Sequence, residues 1–404
     1  MKHRPELDGL RGVAILLVVG AHAGVPGFAG GGGGAGVSLF FVLSGYLITS
    51  LLMAEKARNG RVDLRAFYVR RALRLFPALA AVLIVVAMLA TTGLMPQAAR
   101  EDTDYRVVIL SVVGYVANWV AVAGQSIGIL GHTRSLAVEE QFYILWPALL
   151  LAGLRIGRQR LALMLLLLIF LDTPYRFWLD LNGGFMHVFV GTDTRGDALL
   201  LGCVLAILES RWRVVVGWAG VGGVCALAAL WPAEPGLGAQ LLFIPAAAIA
   251  STLAVAGCPT MLAWRPLAFI GKISFGLYLW HGLIIWWNLP WPVAVPLSIG
   301  IACVSYFVLE QRFLRLKDRF GRAGHPPAAT PTVAPPKRPA RPVDAAGLGA
   351  AFWAAPAAAP GIMPRCTPSA GDAAHHAWPR SRRPAASRQG RGDPRSGSLP
   401  AAAP

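Results

Sequence analysis

Arg11 and His22 stand eleven residues apart in the apolar stretch LDGLRGVAILLVVGAHAG, residues 7–24. On an α-helix, which turns ~100° and rises ~1.5 Å per residue, they fall within roughly 20° of each other and about 16 Å apart along the axis. Asp8 lies within about 60° of both. One polar stripe therefore runs up an otherwise apolar helix. A charged side chain at mid-bilayer costs at least ~2.5 kcal/mol, so such groups face a bundle interior or an aqueous path. Two readings fit. Asp8 and Arg11 snorkel to the interface while His22 ties helices together, or the stripe lines a functional path.

Four further stretches place polar groups where a plain bundle has none. In FYVRRALRLFP (67–77), Arg71 and Arg74 are three apart on one helical face, and Arg70 pairs with Arg74 at four. Guanidinium forks hold phosphate bidentately, so this cluster is suited to an anionic cofactor at the cytoplasmic surface; an anchor to lipid headgroups accounts for the same charges. HTRSLAVEEQFYILWP (132–147) puts Glu139 and Glu140 at the outer end of a span. They point roughly 100° apart, so at most one readily faces the bundle interior, and acids near a helix start also suit its dipole. TRGDALLLGC (194–203) carries Arg195 and Asp197, either as an ion pair or as substrate ligands. ISFGLYLWHGL (273–283) sets Ser274, Tyr278 and His281 on one stripe, for which an interfacial, structural role is expected.

The elements that position these groups are membrane helices. The chain has 404 residues, 55% hydrophobic and 14% charged, with a mean hydropathy of +0.55, which excludes an ordinary soluble domain. About eleven apolar segments occur, roughly 10–27, 36–53, 76–95, 106–123, 136–154, 160–173, 194–209, 214–231, 237–256, 267–288 and 293–310. The net charge of +17 is gathered in short loops and the C-terminal segment, the pattern of a membrane protein and not of a nucleic-acid binder. Lys2, Arg4 and the loop from Lys56 to Arg74 are expected inside. Placing Arg155, Arg158, Arg160, Arg211, Arg213 and Arg265 inside as well requires that segment 106–123 not cross, or that its crossing be undone before Glu139. The expected fold is thus an all-α polytopic bundle of ten crossings, with 106–123 re-entrant or surface-lying and both termini cytoplasmic.

Residues 1–315 form the expected membrane domain, and the Pro/Ala/Arg-rich residues 316–404 the expected disordered cytoplasmic tail. No secretory signal with a cleavage site is expected. Cys203, Cys225, Cys258 and Cys303 read as small apolar residues without metal-type spacing, and no metal is expected. GFAGGGGGAG (27–36) is a flexible connection and not a phosphate loop, because no strand precedes it and no Lys-Ser or Lys-Thr follows.

Taken in order, LDGLRGVAILLVVGAH, GVSLFFVLSGYLIT, FYVRRALRLFP, SLAVEEQFYILWP, TRGDALLLGC and ISFGLYLWH resemble the membrane-bound acyltransferase-3 family over residues 5 to about 315. The resemblance implies transfer of an acyl group, often acetyl from acetyl-CoA, onto a hydroxyl of an extracytoplasmic glycan or glycolipid. The setting it implies is the inner (plasma) membrane, with polysaccharide-synthesis proteins as possible partners. It marks Arg11, Arg71 and Arg74 as donor-binding residues, and His22 and Glu139 as catalytic. His22 would serve as general base, a role suited to an imidazole that titrates near working pH. Glu139 would orient His22 or bind the acceptor. A non-enzymatic transporter or channel, or a scaffold for polysaccharide synthesis, is the competing reading; neither consumes acyl-CoA. The chain departs from the family at Arg134, where Trp is usual, and its tail is too short for the soluble hydrolase-like domain of some relatives. Any acyl-handling step that such a domain performs would then be absent or done by a partner.

Overall fold

A computed structural model describes residues 3–28, 30–210, 212–231, 239–313 and 315. The segment 316–404, expected to be disordered, lies outside the described residues. Within them the chain is helical, with no strand. Helices α1 (Pro5–His22), α2 (Gly32–Asn59) and α3 (Leu64–Thr92) come first, then the short α4 (Gln97–Arg100), α5 (Tyr105–Val113) and α6 (Ala117–Val122). Next are α7 (Thr133–Gly153), α8 (Arg158–Leu181), the short α9 (Phe185–Val190) and α10 (Thr192–Ile207). The described part closes with α11 (Val214–Leu230), α12 (Ala239–Ala256), α13 (Arg265–Lys272), α14 (Ser274–Ile285) and α15 (Trp291–Ser305), which runs into a π-helical turn, Tyr306–Glu310.

Among the described residues four helical stretches are long and apolar enough to cross a bilayer: α2, α3, α8 and Trp291–Phe313. The bent pair α13–α14 is a fifth if it counts as one span. Large apolar side chains such as Ile84 and Met88 on α3, and Leu163, Leu167 and Phe170 on α8, lie exposed. Hydrocarbon, unlike water, welcomes such a surface, and this is the make-up of a helical membrane protein. The ends follow local chemistry. α2 stops at Gly60, whose φ of 70° is left-handed. α3 starts at once behind Asp63, whose carboxylate accepts the Ala66 amide hydrogen at 2.9 Å. The basic cluster is therefore helical. α2 and α10 meet backbone to backbone: a Cβ on Gly45 would lie 2.0 Å from the Leu199 carbonyl oxygen, and one on Gly202 2.2 Å from that of Val42. Small residues allow membrane helices this approach.

Segment 106–123 is expected not to cross, and 267–288 and 160–173 differ from their sequence reading. Segment 106–123 is two helices of 9 and 6 residues around Tyr115, which has a φ of 53°. Neither helix alone reaches across ~30 Å of hydrocarbon. Segment 267–288 is not one helix: it bends by 71° between α13 and α14. Ser274 starts α14 afresh immediately after Lys272 and Ile273. α8 continues to Leu181, well beyond the expected end at 173. The charges that made the sequence look like a loop satisfy one another: Arg176, 2% exposed, bonds Asp172 one turn below and Asp197 of α10 at 2.9 Å. Arg176 is therefore the partner of Asp197, and the ion-pair alternative for Arg195 and Asp197 is not formed among the described residues.

Candidate active site

α1 carries Arg11 and His22 into two different cavities. The first, about 290 Å3, is lined by Arg11, by Arg71 and Arg74 of α3, by Glu139, Glu140 and Tyr143 of α7, by Ser44 of α2 and by Ser274 of α14. Leu47, Ile48 and Leu51 give it an apolar side. Arg71 is engaged: its Nε and Nη2 donate to the two oxygens of Glu140 at 3.0 and 2.5 Å, and its guanidinium lies over the Tyr143 ring. Glu139 accepts from Tyr143 Oη at 2.5 Å and from Ser44 Oγ. The two acids thus both line this cavity, although adjacent helical positions diverge; Glu140 turns to Arg71 and Glu139 to the hydroxyls.

Two cations are left over. Arg74 is exposed, and among the described residues no carboxylate pairs with it. Arg11 Nε is buried without a hydrogen-bond partner among the described residues. With the Arg71–Glu140 pair neutral and Glu139 single, Arg11 and Arg74 leave the cavity one positive charge in excess. Such a surplus in a confined space favours an anionic guest. Asp8, on the same stripe by sequence, points away and bonds His3 at 2.9 Å.

The second cavity, about 260 Å3, is lined by His22, by His132, Arg134 and Ser135 at the start of α7, by Arg195 of α10 and by Tyr278 of α14. Val37, Phe41, Ser135 and Tyr278 line both cavities, so a single wall divides the arginine side from the histidine side. His22 Nδ1 lies 2.8 Å from the Val18 carbonyl. A carbonyl can only accept, so Nδ1 carries the hydrogen and Nε2 keeps its lone pair. His22 is exposed, which leaves that lone pair reachable. The rings of His22 and His281 are 5.2 Å apart, and those of His281 and His132 4.9 Å. His281 is fully buried, its Nδ1 donating to the Tyr278 carbonyl at 2.7 Å. Nε2 of both His132 and His281 lacks a hydrogen-bond partner among the described residues. A Cβ on Gly282 would lie 2.4 Å from the His132 ring, so the glycine after His281 lets α14 approach. Among the described residues no group of metal-binding type is formed, so the imidazoles are not gathered as ligands.

Of the five marked residues, Arg11, Arg71, Arg74 and Glu139 share the arginine cavity and His22 lines the other. Among the described residues Glu139 makes no hydrogen bond to His22; its bonds run to Ser44 and Tyr143. Sequence reasoning passed over His132 and assigned His281 a structural place. The signal for His132 was its position three residues before Ser135 in the acidic motif. Tyr278 ties these pieces together, donating to the His132 carbonyl at 2.6 Å and bonding Ser135 Oγ.

Fold and site together define a helical membrane protein with a cationic and an imidazole cavity back to back in its interior. The family model for the acyltransferase domain of the acyltransferase-3 type matches residues 4–309, and the chain belongs to that family. It is 34% identical over 356 residues to YrhL of Bacillus subtilis (strain 168), provisionally named a peptidoglycan O-acetyltransferase; the match covers 77% of this chain and 55% of that protein. It is 32% identical over 318 residues to the O-acetyltransferase OatA of Staphylococcus aureus (strain NCTC 8325 / PS 47), covering 70% and 51%. A protein of S. aureus (strain MSSA476), provisionally named an O-acetyltransferase, is 33% identical over 320 residues, with the same coverage. The chain spans about half the length of the curated relatives it matches. No solved structure matches it.

Proposed function

We propose that this chain is an integral membrane O-acyltransferase that moves an acyl group, acetyl in the first instance, from cytoplasmic acyl-CoA to a hydroxyl of an extracytoplasmic glycan or glycolipid. The observation that carries this reading is the shared wall between the two cavities. Arg74 and Arg11 hold the anionic donor on one side, with its acyl arm against Leu47, Ile48 and Leu51. The thioester is presented between the residues that both cavities share, and from the histidine side His22 Nε2 takes the acceptor's hydroxyl proton while the oxygen attacks its carbonyl. The carbon–sulfur bond then breaks, and the thiolate leaves and is protonated as free CoA. Glu139, held by Ser44 and Tyr143, shapes the donor side. The names of the relatives support an acetyl donor and a glycan acceptor.

The test uses the purified full chain in detergent with acetyl-CoA and a soluble saccharide. Acceptor-dependent release of CoA thiol, with an acetyl ester on the sugar, is expected. Binding of either compound with no thiol released under any acceptor would leave a transporter or a scaffold as the better description.

The same reading includes ten crossings of the inner membrane with both termini cytoplasmic. Its support is the direction of the helices around the cavities. α3 reaches the arginine cavity from its N-terminal half, through Arg71 and Arg74, whereas α7 supplies the histidine cavity from His132 and the arginine cavity only from Ser135 onward. This order supports helices that run in opposite directions, with no net crossing in residues 93–132 between them. In a cysteine-free background, single cysteines at positions 158 and 213 are expected to resist a membrane-impermeant thiol reagent added outside, while one at 104 reacts. Labelling at 158 from outside would reverse every later helix.

A further inference from the structure

Arg134 stands on the first turn of α7, where the histidine cavity meets a broader groove of about 450 Å3. It lines both, as does Gly131. Its Nε donates to the Gly131 carbonyl at 2.7 Å, which pins the guanidinium in the junction. The terminal nitrogens are left with one poor partner, Met186 Sδ at 3.6 Å from Nη1. Among the described residues no carboxylate pairs with Arg134, and neither space has an Asp or Glu in its lining. The acids that flank Arg195 in the sequence are already taken: Asp193 by His187 and Tyr175, Asp197 by Arg176. Arg195, 5% exposed, adds a second guanidinium to the cavity wall.

A half-buried fork with free donors matches a carboxylate or phosphate, and the absence of a protein anion leaves that place to a ligand. The groove beyond offers Gln125, Ser126 and the Trp286 indole, polar edges beside an aromatic face. We propose that Arg134 makes the histidine cavity and this groove a subsite for an anionic saccharide. Its carboxylate or phosphate sits on the Arg134 guanidinium, and a neighbouring hydroxyl is presented to His22. The proposal rests on reading the histidine cavity as the acceptor side. It names what that acceptor must carry.

The experiment compares three acceptors on the purified full chain: methyl glucuronoside, its neutral methyl ester, and methyl glucoside 6-phosphate. Equilibrium binding and acetyl-CoA-dependent transfer are measured for wild type, Arg134→Gln and Arg134→Lys. Wild type is expected to prefer at least one charged sugar over the ester by ten-fold or more, in binding and in kcat/KM. Arg134→Gln should bring that ratio close to one, and Arg134→Lys should restore part of it. A lysine keeps the charge but not the fork, so it separates recognition from a packing role. Preference for the uronate alone or for the phosphate alone identifies the source of the anion. Equal use of acid and ester by wild type, or an unchanged ratio in Arg134→Gln, would overturn the proposal. Absence of thiol release with all three sugars would sink the acyltransferase reading, while the binding ratio would still decide the role of Arg134.

Discussion

A His22→Ala protein is expected to insert and bind acyl-CoA as wild type does, and to transfer acyl about 10²–10⁴-fold more slowly. That is the range a positioned general base contributes. The expectation follows from the hydrogen bond to the Val18 carbonyl, which commits the ring proton to Nδ1 and leaves Nε2 as the only basic atom of that imidazole. It also follows from the wall: His22 lines one cavity and the two free arginines line the other, so donor affinity and base function should separate. The measurement is kcat and donor KM on purified wild type and variant, with expression and melting temperature checked in parallel. A fall in kcat at constant donor KM supports the assignment. A variant that keeps its rate would move the base to His132, which lines the same cavity with an unpartnered Nε2. A variant that loses donor affinity instead would mean that the wall does not divide the two substrates.

What could be read from the sequence was what a single helix contains. The spacing of Arg11 and His22 specified a shared stripe and their axial separation, because both follow from helix geometry alone. The common face of Arg71 and Arg74 came the same way. Relations between helices had no such signal. Arg71 and Glu140 are 69 residues apart, and nothing in either local pattern says that one neutralises the other. His22 and His281 meet from opposite ends of the chain. Hydropathy also misread residues whose charges are paired in three dimensions: Asp172 and Arg176 look like the start of a loop until Asp197 closes the group. Apolar runs conceal bends as well. Segment 267–288 keeps its hydrophobicity through Ile273, yet the chain turns there to bring Tyr278 to the cavity wall and His281 against His22. The charge asymmetry of the loops bears on the sidedness of insertion and not on any contact, so cysteine labelling is what tests it.

The basic cluster should divide into two residues of different kinds. Sequence alone treats Arg71 and Arg74 as a matched pair of phosphate ligands. In the structure Arg71 is a bidentate partner of Glu140, their side chains 19% and 7% exposed, while Arg74 is open and unpaired among the described residues. Arg74→Gln is therefore expected to weaken acyl-CoA binding by roughly ten- to a hundred-fold, the equivalent of one charge-assisted hydrogen bond of ~1.5–3 kcal/mol, with little change in melting temperature. Arg71→Gln should act on the fold instead. It strands Glu140 as a buried carboxylate, and removing one partner of a buried pair costs about 3–5 kcal/mol. Arg71→Gln combined with Glu140→Gln removes both charges and should recover much of that loss. The check is thermal unfolding in detergent for the four proteins beside acyl-CoA titration, the latter repeated at high salt, which should weaken the exposed Arg74 contact more than the buried pair. If Arg71→Gln were as stable as wild type and lost as much donor affinity as Arg74→Gln, the Glu140 pairing would have to open when the donor binds. Arg71 would then rejoin Arg74 as a phosphate ligand, and Glu140 would hold it in reserve while the cavity is empty.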